Sequence, residues 1–142
     1  MSTENTVVIG CDAGNKLIKT PNNITLAGIQ KLPTKPAVMP PDPMDLLLIN
    51  GEYYCISNKR VSYERDKSIN ENHLYLTLIA IAKEMQARRM SPTSKIVLAT
   101  GLPPGHMASA KLMETYRNYF LQNGGIYRFQ CGGISHQITL SD

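Results

Sequence analysis

The sequence predicts an α/β fold: a mixed sheet that begins with an antiparallel hairpin, helices packed on it, and a small inserted subdomain. Three observations carry that expectation. Thr6 to Cys11 (TVVIGC) is a short β-branched, apolar run followed at once by turn residues and a second strand-like stretch. Two segments of helical periodicity flank the strand-like run Ile96-Val97-Leu98-Ala99. Between the opening strands and the first helix lies a proline-rich stretch, with five prolines from Pro33 to Pro43, which removes backbone donors and belongs on the surface.

In chain order, Thr6 to Cys11 reads as a central strand buried on both faces, Asp12 to Asn15 as a turn, and Leu17 to Thr20 as the return strand. Pro21-Asn22-Asn23 closes it, and alternation from Ile24 to Leu32 predicts a third strand. Leu46 to Ser57 is the clearest hairpin signal, because apolar and aromatic runs flank Asn50-Gly51, the pair favoured where both turn residues need positive φ. Asn58 to Asn70 is polar and reads as loop. Asn70 can cap a helix whose positions Leu74, Leu78, Ile81, Ala82 and Met85 share one face, with Arg88 and Arg89 at its negative dipole end. After the Ser91-Pro92 break and the Ile96–Ala99 strand, Thr100 to Pro104 begins a loop. A second amphipathic helix is expected over Ser109 to Gln122, carrying Leu112, Met113, Tyr116 and Phe120 on one face and stopped by Asn123-Gly124-Gly125. A final strand pair surrounds Gly132-Gly133. The expected organisation is a core of residues 1–32 and 71–142 with an inserted subdomain over 33–70.

A length of 142 residues is enough to bury a core without disulfides. Three cysteines, Cys11, Cys55 and Cys131, with no C-x-x-C spacing argue against a disulfide framework or zinc ribbon and for a reducing, cytoplasmic setting. No apolar run has the length of a membrane span. The net charge of +4 is dispersed over Lys59-Arg60, Lys83, Arg88-Arg89 and Lys95, which argues against direct nucleic-acid binding. His73, His106 and His136 are too scattered for a metal or catalytic pair, and Ser109 has no evident base partner.

The chemistry-bearing segment is Cys11-Asp12-Ala13-Gly14-Asn15-Lys16-Leu17-Ile18-Lys19, a D-x-G-x-x-x-x-K pattern directly after a buried strand. Gly14 lets the backbone turn tightly enough for the amides of Gly14, Asn15 and Lys16 to converge on one anion. Lys19 adds a formal charge on the return strand, and Asp12 can hold magnesium through water. On spacing alone D-x-G is also an ordinary tight turn. The acid at the tip of a buried strand and the lysine opposite favour the phosphate.

At this point the chain resembles the actin, sugar-kinase and heat-shock chaperone superfamily, with its ribonuclease H-like fold, and within it the ParM/StbA-like plasmid-segregation actins. VVIGCDAGNKLIK, LLINGEYYCIS, NENHLYLTLIAIAKEM and KIVLATGLPPGHM carry the likeness and stand in that family's order. The resemblance implies ATP and magnesium as cofactors of the intact parent protein. It assigns Asp12 to magnesium through water, Gly14, Asn15, Lys16 and Lys19 to the phosphates, and Thr100 and Gly101 to positions beside the site. Asn15 stands where many relatives have serine or tyrosine, and Lys16 is an additional cation. The resemblance further implies self-association into filaments, a DNA-bound adaptor protein as partner, and filament contacts from the inserted subdomain. The water-orienting residue, second phosphate loop and adenosine pocket of that family lie beyond Asp142. The expectation is therefore an N-terminal part with no catalytic residue of its own, weak or no nucleotide binding alone, and no hydrolysis alone. The rival reading is a non-catalytic binding domain that recruits a partner through the Leu46–Ser57 hairpin and a sheet edge; a small DNA-binding protein is a third, resting on charge alone.

Overall fold

A computed structural model describes residues 6–13, 17–26, 28–60, 71–100, 114 and 118–141. Among them, nine strands form one mixed sheet: β1 (Thr6–Ala13), β2 (Leu17–Thr20), β3 (Asn23–Leu26), β4 (Gly28–Leu32), β5 (Leu46–Ile49), β6 (Glu52–Arg60), β7 (Thr93–Thr100), β8 (Ile126–Cys131) and β9 (Ile134–Ser141). Their order in the sheet is β3-β2-β1-β7-β9-β8-β5-β6-β4. The parallel centre, β1 with β7 and β7 with β9, is bordered by antiparallel pairs. The helix α1 (Glu71–Ala87) supplies the connection between β6 and β7.

The opening hairpin, the paired final strands and the helix over Glu71–Ala87 stand where the sequence puts them. Asn50 and Gly51 both take positive φ, 52° and 76°, as the two-residue turn between β5 and β6 requires. The single strand expected from Ile24 to Leu32 is instead two. Residues up to Leu26 pair with β2 and residues from Gly28 pair with β6, so the two halves stand at opposite ends of the strand order. Only residue 27 separates them, so the ends of the order lie next to each other and the sheet curves around α1.

That curvature explains a second difference. Periodicity predicts a helix with one buried face, yet every residue from Leu74 to Ala82 is buried. The helix touches β1, β2, β3 and β4, and the Tyr119 hydroxyl accepts from the Leu74 amide at 2.7 Å. A helix enclosed on all sides is apolar all round. Tyr75 packs against Tyr54 of β6 with ring centroids 4.7 Å apart and planes tilted by 50°, fastening the β5–β6 hairpin to the same core. Leu47 and Cys131 are fully buried where β5 meets β8, so the hairpin continues the sheet. Both of its strands have neighbours on either side in the strand order, β5 meeting β8 through two residue pairs. The proline-rich stretch before it is largely exposed, as expected.

The helix ends on a left-handed residue, Arg89 (φ 54°), with the Met90 amide donating to the Met85 carbonyl at 2.9 Å. Most of the second expected helix, including Leu112, Met113 and Tyr116, lies outside the described residues; Glu114 and residues 118–120 are helical. Gln122–Gly125 then forms a 3-10 turn into β8. There Gly125 takes φ 75°, and a Cβ on it would lie 2.3 Å from the Leu140 carbonyl oxygen of β9. No disulfide joins the three cysteines. Among the described residues no helix is long and apolar enough to cross a membrane.

Leu78, fully buried at the centre of α1, is expected to cost about 3 kcal/mol when cut to alanine, read from urea denaturation. Gly125→Ala is expected to be destabilising by about 2 kcal/mol or more, because backbone rather than a movable side chain stands in the way.

Candidate nucleotide-phosphate site

The parallel ladder between β1 and β7 runs from Thr6↔Lys95 to Cys11↔Thr100. β1 continues past that point and pairs with β2 through Asp12↔Lys19 and Ala13↔Ile18. Asp12, Lys19 and Thr100 therefore gather at the carboxyl end of two parallel strands, the end at which open α/β sheets bind their ligands. Ile18 and Thr20 are buried while Lys19 between them is exposed. It makes no ion pair with another described side chain. Lys19 is thus an exposed cation whose backbone stands in register with Asp12. Gly14, Asn15, Lys16 and Gly101 lie outside the described residues, as do the side chains of Asp12 and Thr100.

Sequence reasoning missed the residue that holds the other end of this hairpin. Glu84 is fully buried on α1, and its carboxylate accepts from the Asn22 amide at 2.9 Å, Asn22 Nδ2 at 2.6 Å and Asn23 Nδ2 at 3.2 Å. It also accepts from Arg88 Nε at 2.8 Å, one turn on, and Arg88 Nη1 donates to the Val8 carbonyl of β1 at 3.1 Å. Burial alone would raise the Glu84 pKa. The Asn22 backbone amide, the Arg88 guanidinium, the Thr20 hydroxyl and the Asn22 side chain outweigh it and hold the carboxyl at about 2. The sequence offers only a partial signal, an acid with arginine at i+4 at the end of the apolar run of α1.

Its neighbour Lys83 clamps the opposite side. The ammonium pairs with the Asp45 carboxylate and lies 3.5 Å from Asp42 Oδ2. Both acids flank the 3-10 turn Pro43–Asp45, where Asp42 Oδ1 also accepts from the Met44 amide at 3.0 Å. Cys131 lies in the same region, its thiol pushed up to about 12 by burial, which makes it an inert core residue.

A cleft of about 480 Å³ opens where β5 parts from β8 after two residue pairs, lined by Asn50, Thr93, Arg128, Gln130, His136 and Gln137 among others. His136 is buried against Phe129, rings stacked at 5.2 Å, with Nδ1 3.0 Å from the Ile134 carbonyl. Burial keeps its pKa below the ordinary histidine value. Thr93 begins β7 and Thr100 ends it, so this cleft stands roughly 23 Å along the strand from the hairpin end. The two are separate places.

Comparison with solved structures decides what kind of fold this is. The apo psk41 ParM protein superposes with a TM-score of 0.74 at 16% identity, over 96% of this chain and 48% of that one. The AlfA filament bound to AMPPNP gives 0.72 at 14% identity, over 97% and 53%. The fold is that of the ParM-type actin-like proteins. Bacillus thuringiensis ParM, solved with AMPPNP, ATP and ADP, matches at 0.61 and 14% identity, over 94% of this chain. The chain thus spans about half the length of the ParM-type structures it matches. No protein-family model matches the sequence, and no curated protein does.

The buried carboxylate makes acid stability a direct readout. A folded-state pKa held near 2 against an ordinary 4.5 corresponds to about 3 kcal/mol, present above the unfolded value and lost as pH falls through the folded one. The stability gap between the wild type and Glu84→Gln is expected to be widest above pH 5 and to close between about pH 4.5 and 2. A gap that stays constant across that range in urea titrations would contradict the assignment.

Proposed function

We propose that this chain is the N-terminal part of an actin-like, ATP-binding, filament-forming protein that segregates plasmid DNA, and that it supplies the first phosphate-binding hairpin. The observation that carries the reading is the register Asp12↔Lys19 beside Cys11↔Thr100 at the carboxyl end of β1 and β7, in a chain with the fold of ParM and AlfA. In this reading Asp12 holds magnesium through water. The amides of Gly14, Asn15 and Lys16 cradle a phosphate, Lys19 neutralises it, and Thr100 and Gly101 border the site. ATP and magnesium supply the transferable phosphoryl group and its charge neutralisation when bound.

Phosphoryl transfer needs charge stabilisation and a positioned water from both walls of a cleft. These residues form one wall, so the hairpin alone is not competent for hydrolysis, and the parent protein is the ATPase. The AlfA and Alp12 filaments support self-association as its mode of action. Residues 33–70, read as an inserted subdomain, would contribute filament contacts, with a DNA-bound adaptor protein as the further partner in the cytoplasm. Ile24, the cross-strand partner of Lys19, is 66% exposed and Val8 60%. Exposed apolar side chains on β1 and β3 suit coverage by further protein. The rival reading is a non-catalytic domain that recruits a partner through the β5–β6 hairpin and a sheet edge; that hairpin lies inside the strand order, between β8 and β4.

In the protein expressed from its complete reading frame, Asp12→Ala is expected to abolish assembly-dependent ATP hydrolysis, and Lys19→Ala to weaken nucleotide binding by about tenfold, roughly 1.4 kcal/mol. Phosphate release and calorimetric titration with magnesium-ATP measure the two. Unchanged activity in Asp12→Ala would sink the site.

A further inference from the structure

We infer that Glu84 is the register pin of the phosphate hairpin: from inside α1 it fixes which residue of β2 stands opposite Asp12, and it acts on the ligand through Lys19 as a positioning residue. The inference rests on the reading of the β1–β2 hairpin as a phosphate loop. β2 and β3 form a unit of their own, joined by four residue pairs from Leu17↔Leu26 to Thr20↔Asn23. That unit is fastened to β1 by two pairs only, Asp12↔Lys19 and Ala13↔Ile18.

A ladder so short does not choose its register by burial. A slip of one residue would turn Ile18 and Thr20 outward, which the core forbids. A slip of two residues preserves the alternation, keeps apolar and polar positions on their own faces, and carries Lys19 about 6.6 Å along β1. Nothing in the burial pattern of β2 opposes that slip, and at such a distance the ammonium no longer meets a phosphate held at the tip.

The Glu84 carboxylate opposes it. It takes three donors from the turn that ends the β2–β3 unit, at 2.6, 2.9 and 3.2 Å, and through Arg88 it is tied to the Val8 carbonyl of β1. The same group thus measures β2 against β1, and directional bonds to a buried charge tolerate no shift of several ångströms. Any slip would strip the buried carboxylate of its three donors from the turn and leave Arg88 as its remaining partner, a costly arrangement for a charge inside the protein.

The test uses the protein from its complete reading frame, with calorimetric titration of magnesium-ATP and amide hydrogen exchange. Glu84→Ala removes a buried charge and can unfold the chain, so the informative variant is Asn22→Ala with Asn23→Ala, on a turn that is partly exposed and with the Glu84–Arg88 pair intact. The expected result is an ATP affinity at least tenfold weaker, exchange in residues 17–26 at least tenfold faster, and unchanged protection in α1. In a Lys19→Ala background the same two changes are expected to move affinity less than twofold, because their effect runs through Lys19. Unchanged affinity or exchange, or an equal loss in both backgrounds, overturns the inference. If neither Asp12→Ala nor Lys19→Ala weakens ATP binding, the phosphate-loop reading falls and takes this inference with it. If either weakens binding and the turn variant does not, the inference falls alone.

Discussion

A charge enclosed in the core is the constraint on which this structure turns. Glu84 has no exposed surface, and an ionised carboxylate taken out of water costs several kcal/mol unless its oxygens are fully engaged. They are engaged, by an arginine one helical turn away and by both asparagines of the β2–β3 turn. The helix therefore cannot rotate or slide without breaking bonds to two strands, and those strands cannot shift without exposing the charge to an apolar interior. Lys83, the next residue back, applies the same logic to the turn before β5 through Asp45 and Asp42. Two adjacent residues of opposite charge thus fix a buried helix to both arms of a curved sheet. Apolar packing alone supplies adhesion without such direction.

The parts of the fold that follow from local chemistry were legible in the sequence. The β1 strand, the Asn50-Gly51 turn, the paired strands around Gly132-Gly133 and the helix from Glu71 each announce themselves in a window of ten or so residues. The expectation that β1 is buried on both faces does not hold: Ile9 and Cys11 point into the core, while Val8, between them and the strand start, is 60% exposed, because α1 covers one face only. What was not legible is set by distant partners. Ile24 to Leu32 alternates like one strand, but its two halves find different neighbours, β2 and β6. Alternation reports which residues face inward, and it does not report which strand lies alongside. The periodicity of α1 likewise shows its richest face, whereas enclosure by the curved sheet is a consequence of that same split between β3 and β4.

Of the proposed site, the structure bears only on where the backbones of Asp12, Lys19 and Thr100 stand. Asp12 and Lys19 were paired on spacing, and their register opposite each other bears on that pairing directly. Gly14, Asn15, Lys16 and Gly101 lie outside the described residues, so their part rests on sequence. Glu84 escaped because an acid on a helix is ordinarily solvated. Only the β2–β3 turn, 62 residues away in sequence, reveals that it is buried and bonded.

From α1, Lys83, Glu84 and Arg88 reach three separate segments: the Lys83 and Glu84 contacts are charged and largely removed from solvent, whereas the Arg88 bond to the Val8 carbonyl is exposed. At the carboxyl end of β1 and β7, Lys19 is exposed and makes no ion pair among the described residues. In the proposed reading Lys19 holds its charge for a ligand, and an exposed side chain of that kind provides no rigidity of its own. The Glu84 carboxylate holds the turn at Asn22 and Asn23, three residues along the chain from Lys19. In the proposed reading this division of tasks between near neighbours lets a binding group remain free in its chemistry while being fixed in its position.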